Sequence, residues 1–168
     1  METLKYFKAV TPATVVSYSA LGMIHRLLVT GAETDGAYST TEIVVAPGAD
    51  VPLHRHAGLE AFYVLEGTFA FRVGNNDLNG TTGDYVTIPP MIFHMWQNIG
   101  DGNARVLCLL APGGMEQMFV EGSHLVTDNS APPLAPTPED AERTTQAVLK
   151  YGVEFPAEQP HDFPPRHV

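Results

Sequence analysis

Short stretches rich in β-branched and apolar residues alternate with polar, glycine-bearing breaks over much of the first two thirds of the chain. Within these stretches the hydrophobic period is close to two. Over residues 68–73, Phe69, Phe71 and Val73 alternate with Thr68, Ala70 and Arg72, the pattern of a strand with one buried face. Further strands are predicted over residues 14–18, 23–30 and 38–46, around His54 and His56, and over 60–66, 85–88, 93–98 and 105–111. The polar loop Gly31-Ala32-Glu33-Thr34-Asp35-Gly36 makes a hairpin of 23–30 and 38–46, and Gly74-Asn75-Asn76-Asp77 and Asn79-Gly80 are turn signals. Short strands in close succession, without a long amphipathic helix among them, predict an all-β antiparallel sandwich or barrel.

Beyond Gly113-Gly114 the pattern changes. Met115, Met118 and Phe119 stand at i, i+3 and i+4, a helical turn that either covers one end of the barrel or forms a hydrophobic wall or lid of a pocket. A Pro-rich linker over 131–138 leads to a C-terminal helix, with Thr137 as N-cap, Pro138 as first residue, Asp140 as capping-box acid and Gly152 as the stop. The stretch 155–168, with four prolines and with His161 and His167, reads as an extended arm or tail able to wrap over a neighbouring subunit.

At 168 residues the chain is expected to bury a substantial core without staples. Its one cysteine, Cys108, lies in an apolar run and reads as a small buried hydrophobe. A net charge of −10 and a pI near 4.9 argue against nucleic acid, whose phosphates an acidic surface repels. Glu139, Asp140 and Glu142 are more simply a solvated helix start than a partner site. Neither a signal peptide nor a membrane-spanning run is legible, so a cytoplasmic protein is expected.

The candidate chemistry lies in His54, His56, Glu60 and His94. Neutral imidazoles and a carboxylate suit a divalent first-row ion such as Fe, Ni, Mn, Cu, Co or Zn, and four ligands leave coordination positions open. His54 and His56, at i and i+2, share one side of an extended strand, and the Ala57-Gly58-Leu59 turn brings Glu60 back toward them. His94 arrives on a later strand that a closed barrel brings alongside.

The spacings Gly48-x5-His54-x-His56-x3-Glu60-x6-Gly67 and Gly83-x5-Pro89-x4-His94-x3-Asn98 resemble the two signature motifs of the cupin superfamily across about 50 residues. One position departs: the family usually has Gly two residues after the Pro, and here that residue is Met91. The turn is therefore expected to be built differently, with an apolar side chain pushed toward the mouth of the site. The resemblance implies a jelly-roll β-barrel of about six to eight strands with one metal per chain. It divides the chain into N-terminal strands and loop (1–36), a barrel core carrying both motifs (37–112), and a helical, Pro-rich extension packed on the barrel (113–168).

The run Glu60-Ala61-Phe62-Tyr63-Val64-Leu65-Glu66-Gly67, the Gly83-Asp84 turn and the Ala111-Pro112-Gly113-Gly114 exit are similar to the quercetin 2,3-dioxygenase-like branch. That likeness implies a metal-dependent dioxygenase acting on an enol, phenol or flavonol-like molecule, with dioxygen as co-substrate. Three histidines and Glu60 hold the metal, Glu60 doubles as general base, and Phe62, Met91 and Trp96 contact substrate. Two alternatives stay open: a non-oxidative isomerase, cyclase, decarboxylase or hydrolase, and a small-molecule-binding protein without chemistry. A homodimer is expected, with no nucleic-acid or membrane partner. His25 and Tyr38 either enter the cavity beside the ligands or, on the simpler reading, take satisfied core or surface roles. Among Arg26, Arg55, Arg72 and Arg105, candidates for recognising a carboxylate, Arg55 points outward, and Asn98 ties a turn.

Overall fold

Alternation is clearest at the centre of the molecule. In β10 (Ala104–Ala111), Ala104, Val106, Cys108 and Leu110 are buried while the intervening residues are half-exposed. This inward row faces the core because a strand sends successive side chains to opposite faces. The computed structural model describes residues 8–160. The other strands are β1 (Val16–Ala20), β2 (Met23–Val29), β3 (Ser39–Val45), β4 (Asp50–His54), β5 (Leu59–Glu66), β6 (Thr68–Val73), β7 (Asn76–Thr81), β8 (Tyr85–Ile88), β9 (His94–Asn98) and β11 (His124–Val126).

These strands form two antiparallel sheets. One has seven strands in the order β11-β1-β2-β3-β10-β5-β8, and the other four in the order β4-β9-β6-β7. Residues from both sheets meet in one core, where Phe62, Phe71, Phe69 and Trp96 lie with ring centroids 5.5–6.0 Å apart. Each such ring contributes roughly 1.5–3 kcal/mol by leaving water. This is the expected all-β jelly roll with a short C-terminal helix. Among the described residues it carries eleven strands, more than expected: β1, β2 and β11 extend the larger sheet, and β7, a stretch of turn signals in the sequence, adds an edge to the smaller one.

Several local expectations change. The first strand begins at Val16, and the loop joining β2 to β3 contains a 3-10 turn, Gly31–Thr34. Asn79-Gly80 is no turn: it lies inside β7, with Gly80 opposite Phe69. A Cβ at Gly80 would come within 3.0 Å of the Phe71 ring, so the glycine makes room for an aromatic packed against the strand. Close approach explains Gly113 too, where a Cβ would meet the Gly31 backbone at 2.6 Å. Buried Glu116 clamps the same junction by accepting from the N–H groups of Gly31 (2.7 Å) and Gly114 (2.6 Å).

The helical part is α1 (Gln117–Gly122) and α2 (Pro138–Lys150). The Thr137–Asp140 capping box forms at the start of α2, with Thr137 Oγ1 accepting from the Asp140 N–H at 3.2 Å and donating to Asp140 Oδ2 at 2.8 Å. Asp140 also meets His124 (2.9 Å), which fastens α2 to β11, and Arg143 (2.6 Å) within the helix itself. Beyond α2 the chain runs along β4. Arg55 and Glu154 exchange backbone hydrogen bonds of 2.9 Å, and the Gln159 amide bonds both N–H and C=O of Leu53. This part of the expected arm therefore covers an edge of its own smaller sheet; His161 and His167 lie outside the described residues. No described helix is long and apolar enough to cross a membrane.

Candidate metal centre

His54 closes β4, Glu60 is the second residue of β5, and His94 opens β9. β4 pairs with β9 so that His54 lies opposite His94, with an irregularity between Val51 and His54 that turns the end of the strand. His56 follows in the short link to β5. One ligand atom from each of these four buried residues lies within 4.8 Å of all the others. The expected set is thus brought together from three strands and a loop.

Backbone carbonyls set the orientation of all three rings. His54 Nδ1 lies 2.8 Å from Pro52 O, His56 Nδ1 3.1 Å from Gly58 O, and His94 Nδ1 2.8 Å from Ile92 O. A carbonyl oxygen only accepts, so each Nδ1 carries the hydrogen and each Nε2 turns its lone pair inward. Glu60 Oε2 stands 2.9 Å from His94 Nε2 and 3.4 Å from His56 Nε2. Lone pairs and a carboxylate gathered this closely away from water repel one another unless a cation lies among them. A divalent metal satisfies all four donors at once, so the residues fit the ion that their types suggest.

Electrostatics agree with that reading. Burial, followed by the neighbouring His94, pushes His54 down to about 4, so it is neutral at pH 7, as a ligand must be. Burial on its own raises the Glu60 carboxyl; positive charge beside it outweighs burial and holds the group below the usual carboxylate range, the role a bound cation fills where the Nε2 lone pairs of His56 and His94 face inward.

Two features escaped sequence reasoning. Cys108 is buried as expected, yet its thiol also donates to Glu60 Oε1 at 3.4 Å. Burial and then the Glu60 charge push the thiol well up, so it stays protonated and able to donate. Strand alternation places Cys108 inward; its partner depends on β10–β5 register, which the sequence does not display. The second is Met91, which takes φ +61°, the left-handed conformation that the family's glycine would adopt. The expected rebuilding of the turn does not occur: the backbone keeps the shape and Met91 carries the strain. Its N–H donates to His56 O at 2.8 Å, tying the turn to a ligand.

Beside the cluster is a cavity of about 150 Å³ between β2, β4 and the two helices, lined by Met23, His25, His54, Met118, Phe119 and Phe155 among others. The Met118 and Phe119 pair is therefore pocket wall. His25 is buried but not satisfied: its ring stacks on Phe119 at 4.1 Å and 10°, and Nδ1 has no hydrogen-bond partner. Burial pushes it down to about 3. Phe62 and Trp96 lie in the aromatic core and Met91 is 42% exposed on its turn; none of the three lines this cavity. Tyr38 is exposed. The four arginines meet acids of the chain: Arg26 with Glu42, Arg55 with Glu154, Arg72 with Asp77, and Arg105 with Glu66. Asn98 ties its turn as expected, donating to Val45 O and Gly102 O and accepting from Gly100 N–H.

Residues 41–110 match the cupin domain family, and the sheets and donor set built around that segment agree with the match. Among curated relatives it is 28% identical over 131 residues to quercetin 2,3-dioxygenase of Aspergillus japonicus, covering 73% of this chain and 37% of that protein. It is 27% identical over 126 residues to 5-nitrosalicylic acid 1,2-dioxygenase of a Bradyrhizobium species, covering 65% and 58%. The chain spans less than two thirds of the length of the curated relatives it matches. A solved structure from Thermotoga maritima, described as a predicted oxalate decarboxylase, superposes with TM-score 0.57 at 19% identity over 62% of this chain and 99% of that one, a likeness of fold.

Proposed function

We propose that the protein is a metal-dependent enzyme, a dioxygenase of a small enol or phenol. The observation that carries the reading is the fixed inward aim of three histidine Nε2 atoms and Glu60 beside an apolar cavity that His54 also lines. The names of the two dioxygenase relatives support the oxidative class over the other chemistries of similar sites.

His54, His56, His94 and Glu60 would hold the ion. When bound, a redox-active first-row metal supplies Lewis acidity and a route for electrons between substrate and dioxygen. The protein does the rest. The cavity wall presents the substrate's apolar body, excludes water and brings its hydroxyl to the ligand side. Glu60, ionised at neutral pH, would accept the hydroxyl proton on Oε2 once that oxygen has swung out of the donor set, while the Cys108 thiol steadies Oε1.

Metal content of protein purified without added metal, measured by mass spectrometry beside oxygen uptake on a panel of enols and phenols, tests the reading. Stoichiometric metal with substrate-dependent oxygen uptake is the expected result. Metal with product but no oxygen uptake would move the assignment to a non-oxidative enzyme, and an empty site to a binding protein.

A further inference from the structure

The cavity beside the metal centre has a size, a charge and one unfilled polar contact, and together they describe a ligand. Its volume of about 150 Å³ equals that of cavities known to hold a single benzene ring. A three-ring flavonol exceeds it. The wall is made mainly of apolar side chains, with Met23, Met118, Phe119, Val148, Val153 and Phe155 enclosing the space. Among the described residues no arginine or lysine lines it, and the one carboxylate that does, Asp50, would repel a ligand acid. Nor is a spare cation close in sequence to its walls: Arg26, Arg55, Arg143 and Lys150 all pair with carboxylates of the chain.

The unfilled contact belongs to His25. Buried polar atoms in folded proteins are almost always satisfied, and one that is not calls for an explanation. Here the imidazole is held flat against Phe119, lines the cavity together with His54, and makes no hydrogen bond within the described residues, its enclosed Nδ1 included. A hydroxyl on a bound ring that meets the imidazole edge lining the cavity would supply a partner.

Resting on the reading of this cavity as the substrate side of the metal site, we infer that the protein takes a neutral, single-ring phenol or cyclic enol. One oxygen faces the His54 side, and a second polar group bonds His25, a residue that positions the ring. The class differs from the flavonol and the carboxylated ring named for the two dioxygenase relatives.

Calorimetric titration of the purified protein with phenol, catechol, resorcinol, hydroquinone, salicylate and quercetin tests this, with metal content measured on the same samples. At least one dihydroxybenzene is expected to bind fivefold or more tightly than phenol, with salicylate and quercetin at least tenfold weaker than that diol. His25→Leu should bring the favoured diol to within twofold of phenol and leave phenol itself within twofold of wild type. Val148→Trp, which fills the cavity from α2, should abolish ring binding with metal content unchanged. Salicylate or quercetin binding as tightly as the best diol, or a diol preference that survives His25→Leu, would overturn the inference. The same preferences in metal-free protein would uphold the ring pocket and strike at the metal reading instead. Metal-loaded protein without them would overturn the pocket and leave the metal reading standing.

Discussion

The Cys108 thiol donates to Glu60 Oε1 at 3.4 Å, which leaves Oε2 as the oxygen that faces His94 and His56. The cysteine thus selects which carboxylate oxygen serves the metal. Groups that orient a ligand in this way typically alter metal affinity by 10- to 100-fold when lost. Cys108→Ala, which removes the donor and leaves only a small void, is expected to weaken metal binding by about tenfold, whereas Cys108→Ser should stay within a few-fold of wild type. Competition with a chelator of known affinity measures both.

Glu60 and the histidines should separate in a second experiment. Glu60→Gln keeps an oxygen donor but removes the base, so turnover is expected to fall by about 100-fold or more while metal content is largely retained. His54→Ala and His94→Ala each remove one of the inward-facing nitrogens, and both metal and activity should be lost. Equal activity in the three variants would defeat the proposed mechanism.

Met91 offers a prediction about stability. A side chain in the left-handed region costs about 1–2 kcal/mol that glycine does not incur, partly offset by the greater freedom of glycine in the unfolded chain. Met91→Gly should therefore raise the unfolding free energy by about 1 kcal/mol, and β-branched Met91→Ile should lower it by at least that much. Urea denaturation reads both.

The legible and illegible parts of this structure divide along the range of the interactions involved. The ligands were legible because their spacing within two short segments is nearly sufficient to place them, and Thr137 and Asp140 announced α2 because a capping box is wholly local. Asn79-Gly80 misled because the dipeptide is a strong turn signal, while the actual need for glycine came from Phe71 packed against the strand. The Cys108–Glu60 contact and the stack of His25 on Phe119 join residues 48 and 94 positions apart in the numbering, and neither end hints at the other. β11 was missed because three residues are too few to show a period.

Acid should act through His25. Its folded value of about 3 lies below the ordinary 6.5, so between those limits the unfolded chain binds more protons than the folded one. The stabilisation is fully present above pH 6.5 and is lost as pH falls toward 3, at roughly 1 kcal/mol per pH unit. His25→Leu should flatten the fall in unfolding free energy between pH 6.5 and 5 by about that amount, measured by denaturant titration at each pH.

Glu154 pairs with Arg55 across 99 residues of sequence, and Arg55 sits between two histidines of the candidate metal centre. A nascent chain therefore exposes a bare sheet edge beside His54 throughout synthesis of the barrel, until residues 154–159 emerge and zip onto it. Any ion that met the nascent chain before that point would meet an unfinished cage.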